Sequence, residues 1–150
     1  MGIQPLLRVV LDTNVVFEGL TKRNGISGTI IDAWFNGLIH VCVSDALAYE
    51  YVDVISRMLS SQRLQGASTT LATLLSSAEF TAINFRWRPS SPDPGDDFVV
   101  DCVMNSNAVL ITYNIKDFRI PQQTLGMKVM EPRELLHYLV QEEMKWDDLR

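Results

Sequence analysis

The chain has 150 residues, 47% hydrophobic and 21% charged, with a net charge of −5 at pH 7, the profile of an ordinary globular protein. No apolar run approaches the roughly 18 residues of a membrane helix, and Arg8 and Asp12 interrupt the N-terminal apolar stretch, which therefore makes a poor signal peptide. The expectation is one cytoplasmic domain over residues 1–150, with its core at about 7–140 and a tail at 141–150.

In chain order, the first element is LRVVLDTNVV, Leu7 to Val16. The β-branched run at Val9, Val10 and Leu11 reads as a strand buried on both faces of a parallel sheet. Asp12 then falls at its carboxyl end, where open α/β sheets place their ligand crevices; as an N-cap of whatever follows it is equally well explained. VVFEGLTKRNG reads as an ordered loop. SGTIIDAWFNG has helical spacing, with Ser27 as the expected N-cap and Gly37 as the stop. Ile39 to Val43 reads as a second strand, with His40 as a satisfied or exposed strand residue rather than a metal ligand, and Cys42, like Cys102, as a reduced core thiol rather than a metal ligand.

SDALAYEYVDVISRML is a strong amphipathic helix capped by Ser44, and Glu50 sits close to its apolar stripe. A carboxylate there either snorkels at the boundary or is aimed into a site. The Ser/Thr-rich segment with Leu71, Leu74 and Leu75 reads as a helix after a loop. TAINF is a short strand or an extended connection, and RWRPSSPDPGDD is the clearest loop. DDFVVDCVMNSN opens a helix at Asp96 and Asp97, where acids also suit the macrodipole. Val109 to Thr112 is a buried strand followed by YNIKDF. GMKVMEP gives a last strand, Pro132 opens a helix to about Gln141, and EEMKWDDLR is expected to fray.

Alternating strands and helices imply a parallel sheet whose carboxyl ends share one edge. Asp12, Asn14, Thr112, Asn114 and Asp117 converge there, with Asp96 if its helix starts at that edge. Ionised carboxylates gathered in a crevice call for cations, and hard oxygen donors without His or Cys suit Mg²⁺ or Mn²⁺ over Zn²⁺. Such a site suits phosphodiester hydrolysis, and a bound cation reverses the objection that an acidic chain avoids nucleic acid.

LDTN at Leu11–Asn14, Glu50 in its helix, DPGDDFVVDC at Asp93–Cys102 and TYNIKDF at Thr112–Phe118 together resemble the four blocks of a PIN domain, in order, from Leu7 to about Leu139. The resemblance implies a three-layer α/β/α fold with a central parallel sheet and a metal-dependent ribonuclease, similar to VapC-like toxins that an antitoxin protein neutralises and that are commonly dimers. It implies that Asp12, Glu50 and Asp96 bind the metal with Asp117, supported by Thr13, Asn14, Thr112 and Asn114. Asp97 and Asp101 leave the register of the third ligand open. Asn114, where many relatives have Asp, weakens any second metal site. The basic loop residues Lys22, Arg23, Arg86 and Arg88 are candidates for the RNA backbone, with Trp87 for stacking. A mean hydropathy of +0.06 points to a partner or a homodimer.

A dehalogenase-like phosphatase would need Asp where Asn14 stands, and a receiver domain would need paired acids in the first block. The alternative kept is a PIN-like module that binds RNA or scaffolds a complex without cleaving.

Overall fold

The computed structural model describes residues 6–87 and 94–148. Its strands are β1 (Arg8–Leu11), β2 (His40–Val43), β3 (Glu79–Phe80), β4 (Val109–Ile111) and β5 (Val129–Met130). They form one parallel sheet in the order β3-β2-β1-β4-β5. The helices are α1 (Thr13–Thr21), α2 (Ile26–Phe35), α3 (Asp45–Met58), α4 (Ser61–Ser76), α5 (Asp97–Ser106), α6 (Arg119–Leu125) and α7 (Pro132–Asp148). Right-handed crossovers in this strand order put α1 to α4 on one face and α5 and α6 on the other. Accordingly α1 packs on α2, α3 and α4, while α5 packs on β1 and β2. This is the expected three-layer α/β/α arrangement.

The centre of the sheet is apolar because both of its faces are covered. Val9, Val10, Leu11, Val43, Leu110 and Ile111 are fully buried, each contributing roughly 1.5–3 kcal/mol of apolar burial. The register pairs Val9 with Val41 on one side and Val109 on the other. Chain connections leave β1 and β4 in opposite directions, so these adjacent strands form the topological switch point.

Several elements differ from the sequence reading. The stretch after β1 is helix α1, not a loop. Val15, Val16 and Gly19 are buried there, and tertiary packing of that face outweighs the poor helix propensity of β-branched residues. Helix α2 is capped at Gly25, and Ser27 lies inside it, buried. Gly37 does end that helix: it has φ +73° and its N–H reaches the Trp34 carbonyl at 3.1 Å. Strand β3, Glu79–Phe80, was not anticipated, and TAINF, which follows it from Thr81, is the connection that the sequence allowed. Helix α6 was not anticipated, and α7 runs to Asp148, through the segment expected to fray.

Helices α1 and α2 approach closely enough that glycine is required. A Cβ on Gly28 would lie 2.2 Å from the Arg23 carbonyl oxygen, and one on Gly19 would lie 2.7 Å from that of Ser27. Gly66, in the middle of α4, faces open space. Gly28→Ala is therefore expected to lower stability by about 1–3 kcal/mol. Gly66→Ala should raise it by roughly 0.5–1 kcal/mol, because alanine restricts the unfolded chain and suits the helix interior. Urea unfolding of both variants beside the parent checks the pair.

Candidate active site

Strand β1 delivers Asp12 to the switch point, and the first turn of α1 then holds it. The residue is 8% exposed. Its backbone N–H donates to the Ile111 carbonyl at 2.9 Å, extending the β1–β4 ladder by one bond. Carboxylate Oδ1 accepts from the Thr13 N–H at 2.9 Å as the N-cap of α1. Oδ2 accepts from the Thr112 hydroxyl at 2.7 Å. The N-cap reading holds for Oδ1, and the same residue stands at the carboxyl edge of the sheet with Oδ2 fixed by Thr112.

Thr112, fully buried, follows the last residue of β4 and passes the constraint onward. Its Oγ1 accepts from the Asn114 N–H at 3.0 Å, and the Asn114 carbonyl accepts from the Asp117 N–H at 3.0 Å in the 3-10 turn Ile115–Phe118. Phe118, fully buried, anchors that turn, while Asn114 and Asp117 stay exposed. Burial raises the Asp12 carboxyl above its ordinary value; the Thr112 and Thr13 hydrogen bonds oppose this, and the charge of Asp117 adds to it.

Glu50 comes to this edge on α3. Ser44 follows β2 and caps the helix, its Oγ accepting from the Leu47 N–H at 3.2 Å. Glu50 is half-buried in the second turn. Its neighbour Tyr51 is 1% exposed and donates its hydroxyl to the carbonyl of Leu11, the residue before Asp12. The Tyr51 hydroxyl is pushed well above its usual range, first by burial, then by the charges of Cys102, Asp12 and Glu50. Sequence reasoning missed this tether; the signal available was a tyrosine on the apolar stripe, which needs a partner for its hydroxyl when buried.

As a crossover between parallel strands, α5 begins at the same carboxyl edge, so Asp96 and Asp97 start there. Asp96 precedes the first residue of α5, makes no side-chain capping hydrogen bond there, and is half-buried. Asp97 and Asp101 are 6% and 3% exposed, deeper than the residue carried over by resemblance. Asn14 is exposed beside Asp12. The Thr13 hydroxyl, next to it, is buried without a hydrogen-bond partner among the described residues. A cleft of about 250 Å³ lies alongside, lined by Tyr113, Asn114, Ile115, Lys116, Asp117 and Glu131. Tyr113 borders it with its hydroxyl 2.5 Å from Ser27 Oγ, which binds α2 to this edge. A larger cleft, of about 360 Å³, opens at the opposite edge beside Leu7, Arg8, Val109 and Met127, away from the acids.

The basic candidates are dispersed. Lys22 and Arg23 follow the far end of α1, about 13 Å along the helix from Asp12, and Arg23 is ion-paired with Asp32. Arg86 is exposed, and Trp87 packs against Phe85 with ring centroids 6.3 Å apart. Arg88 lies outside the described residues.

Hard oxygen donors at a sheet edge, one of them raised chiefly by burial beside an orphaned hydroxyl, fit a small divalent cation with its waters. The class so defined is the parallel α/β protein with an acidic switch-point site. Residues 8–116 match the PIN domain, and the chain belongs to the PIN domain family, a family of nucleases. No curated protein matches it. Among solved structures it is similar to VapBC2 from Rickettsia felis, bound to a DNA fragment from the promoter, with TM-score 0.58, 17% identity and coverage of 83% of this chain and 98% of that one. VapBC-1 from nontypeable Haemophilus influenzae gives TM-score 0.57 and 18% identity, covering 85% and 99%. FitAcB from Neisseria gonorrhoeae gives 0.57 and 15%, covering 83% and 97%. These likenesses are of fold.

The raised Asp12 carboxyl has a sign that can be tested. A folded-state value above the unfolded one means that stability falls as pH rises from the unfolded value through the folded one, and stays lowered above it. In chelator at pH 7, Asp12→Asn should be at least as stable as the parent, and the difference should vanish in acid. Thermal unfolding of both proteins across a pH series reads it.

Proposed function

We propose that the chain is a metal-dependent endoribonuclease of the VapC-like kind, the toxin of a toxin–antitoxin pair. The observation that carries the reading is Asp12: a desolvated carboxylate fixed by Thr13 and Thr112 at the switch point of a PIN domain, with Asp117 acting on it electrostatically. Asp12, Glu50, Asp96 and Asp117 would hold Mg²⁺ or Mn²⁺, with Asp97 as the other candidate for the third position. A divalent ion so bound supplies charge neutralisation at a phosphodiester and acidifies water.

The chain's own residues supply the positioning. Thr13 and Thr112 occupy one oxygen each of Asp12, so its carboxylate plane is set before any ligand arrives. Tyr51 ties the helix carrying Glu50 to the strand carrying Asp12. Tyr113 and Lys116, on the adjacent cleft, offer an aromatic face and a cation to a nucleotide. Arg86 and Arg88 would hold the RNA backbone with Trp87 nearby, and Lys22 and Arg23 would meet the strand farther out.

A protein partner is part of the same reading. Phe35, Tyr49, Met58 and Phe85 are all more than 60% exposed, apolar side chains that a partner could bury. An antitoxin or a second copy would cover them, and the likeness to VapBC and FitAB complexes supports the antitoxin. Among the described residues no helix is long and apolar enough to cross a membrane, and a cytoplasmic setting goes with RNA as substrate.

The test is cleavage of a defined RNA by the purified chain with Mg²⁺ or Mn²⁺ against chelator. Asp12→Asn and Glu50→Gln should each lower cleavage by more than about 100-fold with the fold retained, and Thr112→Val by about 10- to 100-fold. RNA binding with no cleavage at any metal concentration would instead favour the non-cleaving module. Replacing Arg86 and Arg88 together by Ala should weaken RNA binding and flatten its salt dependence by up to about two phosphate contacts. Filter binding across a salt series measures that slope.

A further inference from the structure

Away from the acidic edge, β1, β2 and β3 place a second group of metal-ligating side chains together. His40 and Cys42 alternate on one face of β2, and Glu79 of β3 is registered opposite Cys42. His40 Nε2 is 3.2 Å from Glu79 Oε1, and Cys42 Sγ is 3.7 Å from Glu79 Oε2. Nitrogen, sulfur and oxygen donor atoms all lie within 4.8 Å of one another, the one such group among the described residues. Cys42 is fully buried, while the His40 and Glu79 side chains are 36% and 38% exposed, giving an entry path.

We propose that His40, Cys42 and Glu79 bind a borderline transition-metal ion, Zn²⁺ foremost, which clips the edge strand β3 to the sheet. The donor set is of the kind zinc takes: one thiolate, one imidazole and one carboxylate, with the fourth position left to water. It is the wrong set for Mg²⁺ or Mn²⁺, which separates this site chemically from the acids around Asp12. It is also separate in space. Arg8 and His40 open their strands, and Asp12 follows the last residue of β1, about 13 Å along the strand.

Arg8 serves the site from outside. Its Nη1 and Nη2 donate to the two Glu79 oxygens at 3.1 and 2.5 Å, and its Nε and Nη2 donate to the Ser106 carbonyl at 3.1 and 2.9 Å. Thr81 Oγ1 donates to Glu79 Oε2 at 3.5 Å. A carboxylate has about four lone-pair sites, so Arg8 and Thr81 can hold Glu79 while it also ligates a metal. Without a metal the same side chains form an Arg8–Glu79–His40 ion-pair network, which the Cys42 thiol joins from inside the core as a weak donor to Glu79 Oε2. What that network does not require is imidazole, thiol and carboxylate donor atoms all within 4.8 Å of one another. Ligation forms the sulfur–metal bond, and the thiol proton leaves to water without any change of oxidation state.

Because the site uses none of the acids at the carboxyl edge, it stands whether or not that edge cleaves RNA. The experiment uses the full chain stripped with chelator and titrated with Co²⁺, whose bond to thiolate gives a charge-transfer band in the near ultraviolet. The band should appear, saturate at one equivalent, and be bleached by Zn²⁺, and Zn²⁺ should raise the melting temperature. Asp12→Asn should keep the band and Cys42→Ser should abolish it. His40→Gln and Glu79→Gln change half-exposed residues outside the core, so they test the site even if Cys42→Ser fails to fold. Each should weaken Zn²⁺ binding by at least about 10-fold. The proposal is overturned if the parent gives no band, if the band survives Cys42→Ser, or if Cys102→Ser alone removes it.

Discussion

The hydrogen bond from Thr112 to Asp12, spanning 100 residues of sequence, is the interaction on which the acidic edge depends. It exists because β1 and β4 are neighbours whose connections leave in opposite directions, so both strands end at one crevice. Each partner is then committed elsewhere: Asp12 to the first amide of α1, Thr112 to the amide of Asn114. Removing the hydroxyl would leave a buried carboxylate oxygen unsatisfied, a cost on the order of 1–3 kcal/mol or more for a charged group. The site is thus built from the end of the sheet outward, with the helices and the 3-10 turn hung on two adjacent side chains.

Much of this was legible because periodicity and strand ends are local. The apolar runs at Val9–Leu11 and Val109–Ile111, each followed by polar residues, identified the two central strands and the edge they share. The Ser44 cap and the apolar stripe after it placed Glu50 on a helix at the same edge. What escaped was set by long-range packing. Helix α1 has β-branched residues and no local helix signal beyond Asp12, and it forms because α2, α3 and α4 cover it. Ser27 resembles an N-cap locally, but burial turns it toward Tyr113. Tyr51 gave no hint of reaching back to Leu11, since a hydrogen bond across 40 residues has no sequence period.

Charge is distributed with the same logic. The half-exposed Glu79 carboxyl is held low, at about 2, chiefly by the Arg8 guanidinium, because its ion pair favours the charged form. Asp12 is moved the opposite way by burial. Two carboxylates at separate parts of one sheet therefore answer to different forces, one held charged by an arginine and one raised by burial. Cys42, beside Glu79, is raised to about 11 because burial outweighs the nearby arginine. A thiol so placed is inert toward oxidants in the absence of metal.

The two outermost strands, β3 and β5, are two residues long each. An edge that short presents few unpaired amides and carbonyls, so each end of the sheet is a poor template for a visiting strand. For a chain with this much apolar surface outside its core, the consequence is a restriction on how it associates. Contact with other molecules has to run through side chains on helices, whose shape and chemistry discriminate between partners. Backbone pairing, which accepts almost any extended segment and leads to amyloid-like growth, has little to build on at edges two residues long.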